Sequence, residues 1–259
     1  MTLRESEAIL QEHKKHKKER IRTLAMIFGA ACLLLLGIWW GCPPLHPKER
    51  EQLFKMPKSP SDLAKQLEII QAHQQRHPIR VGLVWAGLYV FLQSFAIPGP
   101  IFLSIIAGPL FGPMLGMLLI SLCATTGASI CYLLSRSIVK GFVIEYKPGL
   151  VRKFTDLVES NRQRIFYFML FLRITPLVPN WFVNLGSPIA GIPLSTFWLG
   201  TFFGLMPFNY IHVNTGMALN TISKFGASAG QLGLLAGLSL LTLLPTLLTR
   251  GKKLDNKEE

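Results

Sequence analysis

The chain has 259 residues, of which 50% are apolar and only 16% charged, with a mean hydropathy of +0.37. Soluble domains carry about 25% charged residues, so an ordinary soluble fold is excluded and an integral membrane protein is expected. The net charge of +13 does not imply a nucleic-acid partner, because Lys and Arg fall in a few polar stretches between long apolar runs, the pattern of membrane-flanking charge and anionic-lipid contact.

Residues 1–23 form a basic tail ahead of the first apolar run, Leu24–Gly41. The tail is too long and too charged for a cleaved signal, and Gly41-Cys42-Pro43-Pro44 is a poor cleavage site, so the run is expected to be a retained anchor. It would span about 27 Å as a helix, with Trp39 and Trp40 at the interface. Residues 42–80 read as a polar linker in which Pro43, Pro44, Pro47, Pro57 and Pro60 precede an amphipathic helix starting at Ser61, lying near a membrane surface.

A membrane core is expected over 81–225. From Val81 to Leu134 there is no charged residue, but Pro98, Pro100, Pro109 and Pro113 interrupt the run. The spacing predicts a helix from Val81 to Ile97. A segment between breakers follows that is too short for a hydrocarbon core of about 30 Å, hence re-entrant, because irregular backbone survives at membrane depth only inside protein or beside water. A full helix is expected from about Met114 to Leu134. Residues 136–164 hold an amphipathic helix with Leu150, Phe154, Leu157 and Val158 on one face and Arg152, Lys153, Asp156 and Arg162 on the other. Apolar sequence resumes at Phe166, again broken by prolines. Two more spans are expected, Leu194–Leu219 with a kink near Pro207 and one within 226–249, before a disordered tail over 250–259. The fold class is thus an all-α polytopic membrane protein with five or six transmembrane helices and two proline-broken re-entrant hairpins in an inverted repeat. The sixth span would come from Phe166–Phe182, and both basic termini would be cytosolic.

The two broken segments correspond. Phe95-Ala-Ile-Pro98-Gly99-Pro100-Ile-Phe102-Leu-Ser104 and Arg173-Ile-Thr-Pro176-Leu-Val-Pro179-Asn180-Trp-Phe182-Val-Asn184 both stop an apolar helix at a proline pair and follow it with Phe and a small polar residue. Paired interruptions of this kind point to a midplane site. Arg173 is the only charged residue between Arg164 and Lys224, and no acidic residue occurs from Ser160 through Leu254. An unpaired arginine at membrane depth costs at least about 2.5 kcal/mol. Two readings stand. Either it binds lipid phosphate through its fork, or it ties open carbonyls of two half-helices together. Asn209, Asn214 and His212, with Gln93 and Ser104, form a polar track in one reading and cross-link helices in the other. The cysteines Cys32, Cys42, Cys123 and Cys131 lie in apolar segments without metal-ligand spacing and read as buried thiols. No cofactor, metal site or catalytic constellation is expected, and an enzyme is not.

At FLRITPLVPNWF (171–182), FAIPG (95–99) and GASICYLLS (127–135) the chain resembles the transmembrane protein 41 family within the DedA, or VTT-domain, group. That resemblance implies an ATP-independent phospholipid scramblase of the endoplasmic reticulum, connected to autophagosome formation and lipid mobilisation, with two facing re-entrant hairpins. The partners implied are anionic and zwitterionic phospholipids, the membrane itself and further membrane proteins. Bacterial members of the group look like proton-driven transporters with acidic residues beside the first break; here those neighbourhoods hold Gln93 and Pro100, which favours equilibrative exchange. A secondary transporter of a small ion and a non-transporting membrane scaffold are the alternatives.

Overall fold

The structure is a computed structural model that describes residues 3–41, 44–55, 60–146, 148–175 and 178–225. The expected span at 226–249, the tail at 250–259, Cys42 and Pro176 lie outside the described residues. Every regular element among those described is helical: α1 Leu3–Trp40, α2 Pro47–Phe54, α3 Pro60–Arg76, α4 Pro78–Ser94, α5 Pro100–Phe111 and α6 Pro113–Leu134. A π-helical turn, Ser135–Val139, carries α6 into α7 Lys140–Tyr146. Then come α8 Pro148–Ser160, a 3-10 turn at Arg162–Arg164, α9 Ile165–Ile174, α10 Asn180–Ile189, α11 Leu194–Gly204 and α12 Met206–Phe225. Two stretches among the described residues are long and apolar enough to cross a membrane, Lys17–Trp40 and Pro113–Val143.

Several boundaries correct the sequence-based expectation. The basic tail and the first span form one helix, α1. Helix α4 stops at Ser94 instead of Ile97, because a proline ring at position 98 would collide with the Ser94 carbonyl. Its end is a Schellman turn: Ile97 N–H donates to Leu92 O at 2.9 Å and Ala96 takes the left-handed conformation, φ 54°. Ala96 is the only non-glycine residue with positive φ among those described, and it sits at the tip of a break. No continuous helix joins Phe166 to Phe182, since α9 stops at Ile174 and Thr175 is extended, as the residue before a proline prefers. The kink expected near Pro207 within Leu194–Leu219 is a full break at Leu205, between α11 and α12.

The helices fall into two similar groups. In the first, α5 doubles back along α4: Trp85 Nε1 donates to Leu103 O at 3.1 Å and the Trp85 ring meets Phe111 at 5.2 Å. Helix α6 then packs on α4, with Gly127 so close that a Cβ there would stand 2.6 Å from Gln93 Cβ. In the second, α10 turns back beside α9, and α11 packs on α9, where a Cβ on Gly204 would stand 2.6 Å from Arg173 Cβ. Each short helix also packs on the long helix of the other group, α5 on α12 and α10 on α6. Gly108 and Gly216 let α5 and α12 meet backbone to backbone; Gly216 lies against the Ile105 carbonyl, which Pro109 deprives of its intrahelical donor.

Helix α1 is a ruler for depth. It runs antiparallel to α4, with Leu35 and Ile38 against Gly87 and the Phe28 ring 4.9 Å from Phe95. Phe28 stands near the middle of Lys17–Trp40, about 17 Å from either end, so the first break lies level with the middle of that apolar stretch. At its basic end Lys17 pairs with Glu145 at 3.0 Å, and Arg20 reaches Gly141. Helix α8 folds Phe154 and Val158 into the core, while Leu150 and Leu157 remain exposed with Arg152, Lys153 and Asp156. Its apolar face is therefore shared between protein packing and the surroundings, a division that periodicity does not resolve.

Candidate functional site

The two breaks face each other across a cavity of about 330 Å³. One wall comes from α4 and α5 (Tyr89, Gln93, Pro100, Ile101, Ser104), another from the second break (Arg173, Thr175, Val178, Pro179, Asn180), and α12 closes it with Phe208, Asn209 and His212. No Asp or Glu lines it among the described residues.

Arg173 dominates the site. It is 1% exposed, placed on the last turn of α9 against Gly204, whose missing side chain lets the arginine stem lie on α11. Its Nη1 donates to Asn180 Oδ1 at 3.2 Å and its Nη2 to Asn184 Oδ1 at 2.7 Å. The guanidinium carbon lies 5.0 Å from the centre of the Phe197 ring, a favourable cation–π contact. Among the described residues the acceptors are side-chain amides of α10 and not the open main-chain carbonyls that one sequence reading anticipated. An amide has no formal charge, so the arginine's positive charge is hydrogen-bonded but not neutralised. Its Nε, buried, has no hydrogen-bond partner among the described residues.

Asn180 is exposed and Asn184 buried, so the bonded set runs from the interior to the protein surface at the break. Opposite, Ser104 donates to Pro100 O and accepts from Tyr89 OH at 3.0 Å. Asn209 donates to Ser121 Oγ at 3.0 Å, cross-linking α12 to α6 while it lines the cavity. His212 is half-buried, and its Nδ1 has no partner among the described residues.

Of the residues singled out in the sequence, Gln93, Ser104, Arg173, Pro179, Asn180, Asn209 and His212 gather at the cavity. Asn184 stands behind it as an Arg173 acceptor. Pro98 and Gly99 shape the first turn, Gly99 with φ 141°, without lining the space. Asn214 is not part of it and donates to Tyr210 O on its own helix. Tyr89, Thr175, Phe197 and Gly204 were not anticipated. A usable signal existed in the paired segments: Phe91-Leu92-Gln93 and Phe171-Leu172-Arg173 hold the same register, and Gln93 packs against Gly127 of α6 as Arg173 packs against Gly204 of α11.

The VTT domain family model matches residues 97–218, a stretch that holds the second break, Pro98–Pro100 of the first, and every cavity-lining residue except Tyr89 and Gln93. Transmembrane protein 41B of Danio rerio is 35% identical over 241 residues, 92% of this chain and 84% of that protein. The chain belongs to the transmembrane protein 41 family. Two further relatives are transmembrane protein 41B of Homo sapiens, 32% identical over 259 residues with 96% and 88% of the two chains covered, and the transmembrane protein 41 homolog of Caenorhabditis elegans, 35% identical over 233 residues with 89% and 94% covered. No solved structure matches the chain. Membership makes this a membrane protein with a VTT domain, and Arg173 lies inside the matched stretch.

Proposed function

We propose that this member of the transmembrane protein 41 family moves phospholipids between leaflets without ATP, by way of the cavity between the two breaks. The observation that carries the reading is Arg173, a buried cation whose acceptors are neutral amides in a cavity with no carboxylate among its described lining residues. A headgroup crossing hydrocarbon must give up hydration, and a polar, positively charged way-station at mid-depth lowers that barrier. The acyl tails would remain in lipid.

The contacts support a membrane arrangement. Helices α4–α5 and α9–α10 would be re-entrant hairpins of opposite direction, tips meeting at the midplane, and together with α6 and α11–α12 they would make an inverted repeat. Among the described residues this leaves three crossings, α1, α6 and the broken α11–α12, fewer than the sequence alone suggested, because α4 enters and returns with α5. The basic end of α1 and the α7–α8 elbow share one side, joined by Lys17–Glu145, and the positive-inside rule makes that side cytosolic. The family resemblance adds the endoplasmic reticulum and a contribution to autophagosome formation and lipid mobilisation. No reaction chemistry is assigned, and the protein is read as a non-enzyme.

The test is reconstitution in liposomes with fluorescent phospholipid in both leaflets, followed by external dithionite. Quenching beyond the protein-free half, slowed in Arg173→Lys at matched insertion, supports the reading. Quenching that stops at one half with folded wild-type protein refutes it.

A further inference from the structure

Helix α8 presents three strips, and the described residues cover one of them. Consecutive helical residues are turned by about 100°, which groups Val151, Phe154 and Val158; Phe154 and Val158 are buried. The Phe154 ring meets Phe182 of α10 edge-on at 5.2 Å and lies against Gly186, where a Cβ would stand 3.1 Å from it. Arg152, Asp156 and Glu159 are exposed on a second, polar strip. Leu150, Leu157 and Lys153 form the third, on the other side of Phe154 from the acids. The leucines are 47% and 48% exposed, and Lys153 is exposed beside them. Lone surface leucines are ordinary, whereas two of them a heptad apart, bordered by a lysine, make the face that an interfacial helix turns to lipid.

We infer that α8 is a membrane-docking helix, with its leucine strip seated in the acyl boundary of the anionic cytosolic leaflet and Lys153 on the headgroup phosphates, and that this seat positions α10. Sidedness and depth rest on the hairpin arrangement proposed above. Only residues 161–164 separate α8 from α9, the limb that enters the membrane, so α8 is held at the surface. Its depth agrees. Helix α10 has ten residues and rises about 15 Å, which puts Gly186 about 5 Å inside its outer end, within the roughly 5–10 Å to which amphipathic helices sink. The charges select an anionic surface. Lys153 borders the leucines, so its stem can lie along lipid with the ammonium among phosphates, while Asp156 and Glu159 are turned away from that strip. Arg162 and Arg164 follow directly and are exposed, and an anionic leaflet attracts such residues. The seat bears on the cavity because α10 is shared. Asn180 and Asn184, which hold Arg173, lie about 200° around α10 from Phe182 and Gly186, so α8 backs the helix whose other face carries the two amides.

The full chain is reconstituted in vesicles of phosphatidylcholine with and without phosphatidylglycerol, carrying a nitroxide on Leu150→Cys, Leu157→Cys or Glu159→Cys, one at a time. Labelled wild type supplies the background from the native cysteines. Relaxation by oxygen, which enters hydrocarbon, is compared with relaxation by a water-soluble nickel chelate. Oxygen should dominate at 150 and 157, with depths of roughly 5–10 Å below the phosphates, and nickel at 159. Lys153→Glu should move the 157 label toward water, further with phosphatidylglycerol than without it, and should speed amide exchange over 180–189 in the same vesicles. If Leu157→Cys fails to fold, Leu150→Cys decides the matter. Nickel access at 150 and 157 equal to that at 159 overturns the seat, because the strip is then in water. Exclusion of both reagents there also overturns it, because a second copy or another protein then covers the strip. A Lys153→Glu shift that ignores phosphatidylglycerol overturns the anionic preference, and unchanged exchange despite a displaced strip overturns the bearing on α10. A label on Trp181→Cys, at the tip of the second hairpin, keeps the two ideas apart. Water at 181 with lipid at 150 and 157 removes the hairpin arrangement and leaves the seat; the reverse removes the seat and leaves the hairpin.

Discussion

Changing Asn184 to aspartate asks whether the cavity depends on the uncompensated charge of Arg173 or only on its shape. The substitution is isosteric: one carboxylate oxygen can occupy the place of Oδ1, 2.7 Å from Nη2, so the α9–α10 tie survives. With charge centres roughly 4 Å apart and an effective dielectric of about 20, the new attraction is about 4 kcal/mol. Desolvating a carboxylate costs several kcal/mol, so the two terms largely offset and the unfolding midpoint should move little. An entering phosphodiester, however, now meets a neutral pair. Losing even a third of that attraction, about 1.4 kcal/mol, lowers occupancy tenfold. Dithionite quenching in liposomes at matched insertion should therefore slow about tenfold while the thermal midpoint stays near that of wild type. A folded Asn184→Asp protein that scrambles at the wild-type rate would refute the charge argument.

The two acceptors of Arg173 should differ when truncated. Asn184→Ala leaves a buried guanidinium short of its 2.7 Å partner and should cost about 2–3 kcal/mol in denaturant unfolding, whereas Asn180→Ala, at an exposed acceptor 3.2 Å away, should cost under about 1 kcal/mol. Gly216→Ala places a methyl on the Ile105 carbonyl and 2.9 Å from Pro109 Cδ, backbone and ring that cannot step aside, so a loss of about 3 kcal/mol is expected, with α5 and α12 exchanging amide hydrogens faster. Outside the membrane segments, the Arg76 guanidinium 3.1 Å from Glu49 holds that carboxyl below its ordinary value of 4.5. The α2–α3 link it makes should thus be intact above pH 4.5 and be lost as pH falls through the lowered folded value. Hydrogen exchange over 47–54 as a function of pH reads this directly, and exchange in Arg76→Gln should lose the acid-dependent step.

Much of the site was legible because its signals are local. Proline removes a donor and clashes one turn back wherever it occurs, so the breaks at 95–100 and 174–180 follow from Pro98, Pro100, Pro176 and Pro179 without knowledge of the fold. An arginine in an apolar run demands an explanation for the same kind of reason, since its ionisation is not negotiable. The correspondence of the two broken segments was visible in Phe102 and Phe182, Ser104 and Asn184. What periodicity misjudged was extent. Helix α4 ends at Ser94 where the apolar pattern runs on to Ile97, and the kink expected near Pro207 is a full break at Leu205, because apolarity measures affinity for hydrocarbon and says nothing of where a chain turns within it.

The sequence by itself determined that this is an apolar, helical membrane chain with two related interruptions and one isolated cation at depth. Tertiary structure decided which amides would face that cation, that α5 returns along α4 through Trp85 and Leu103, and that Tyr89, Asn209 and His212 would share a cavity with Arg173 from more than thirty positions away. The physical reason is the reach of the forces concerned. Backbone sterics and transfer free energy act on neighbours along the chain, whereas the partner of a buried donor is chosen by which helices close on one another, and that choice was made by glycines at 108, 127, 204 and 216, whose significance lies in what they permit to come near.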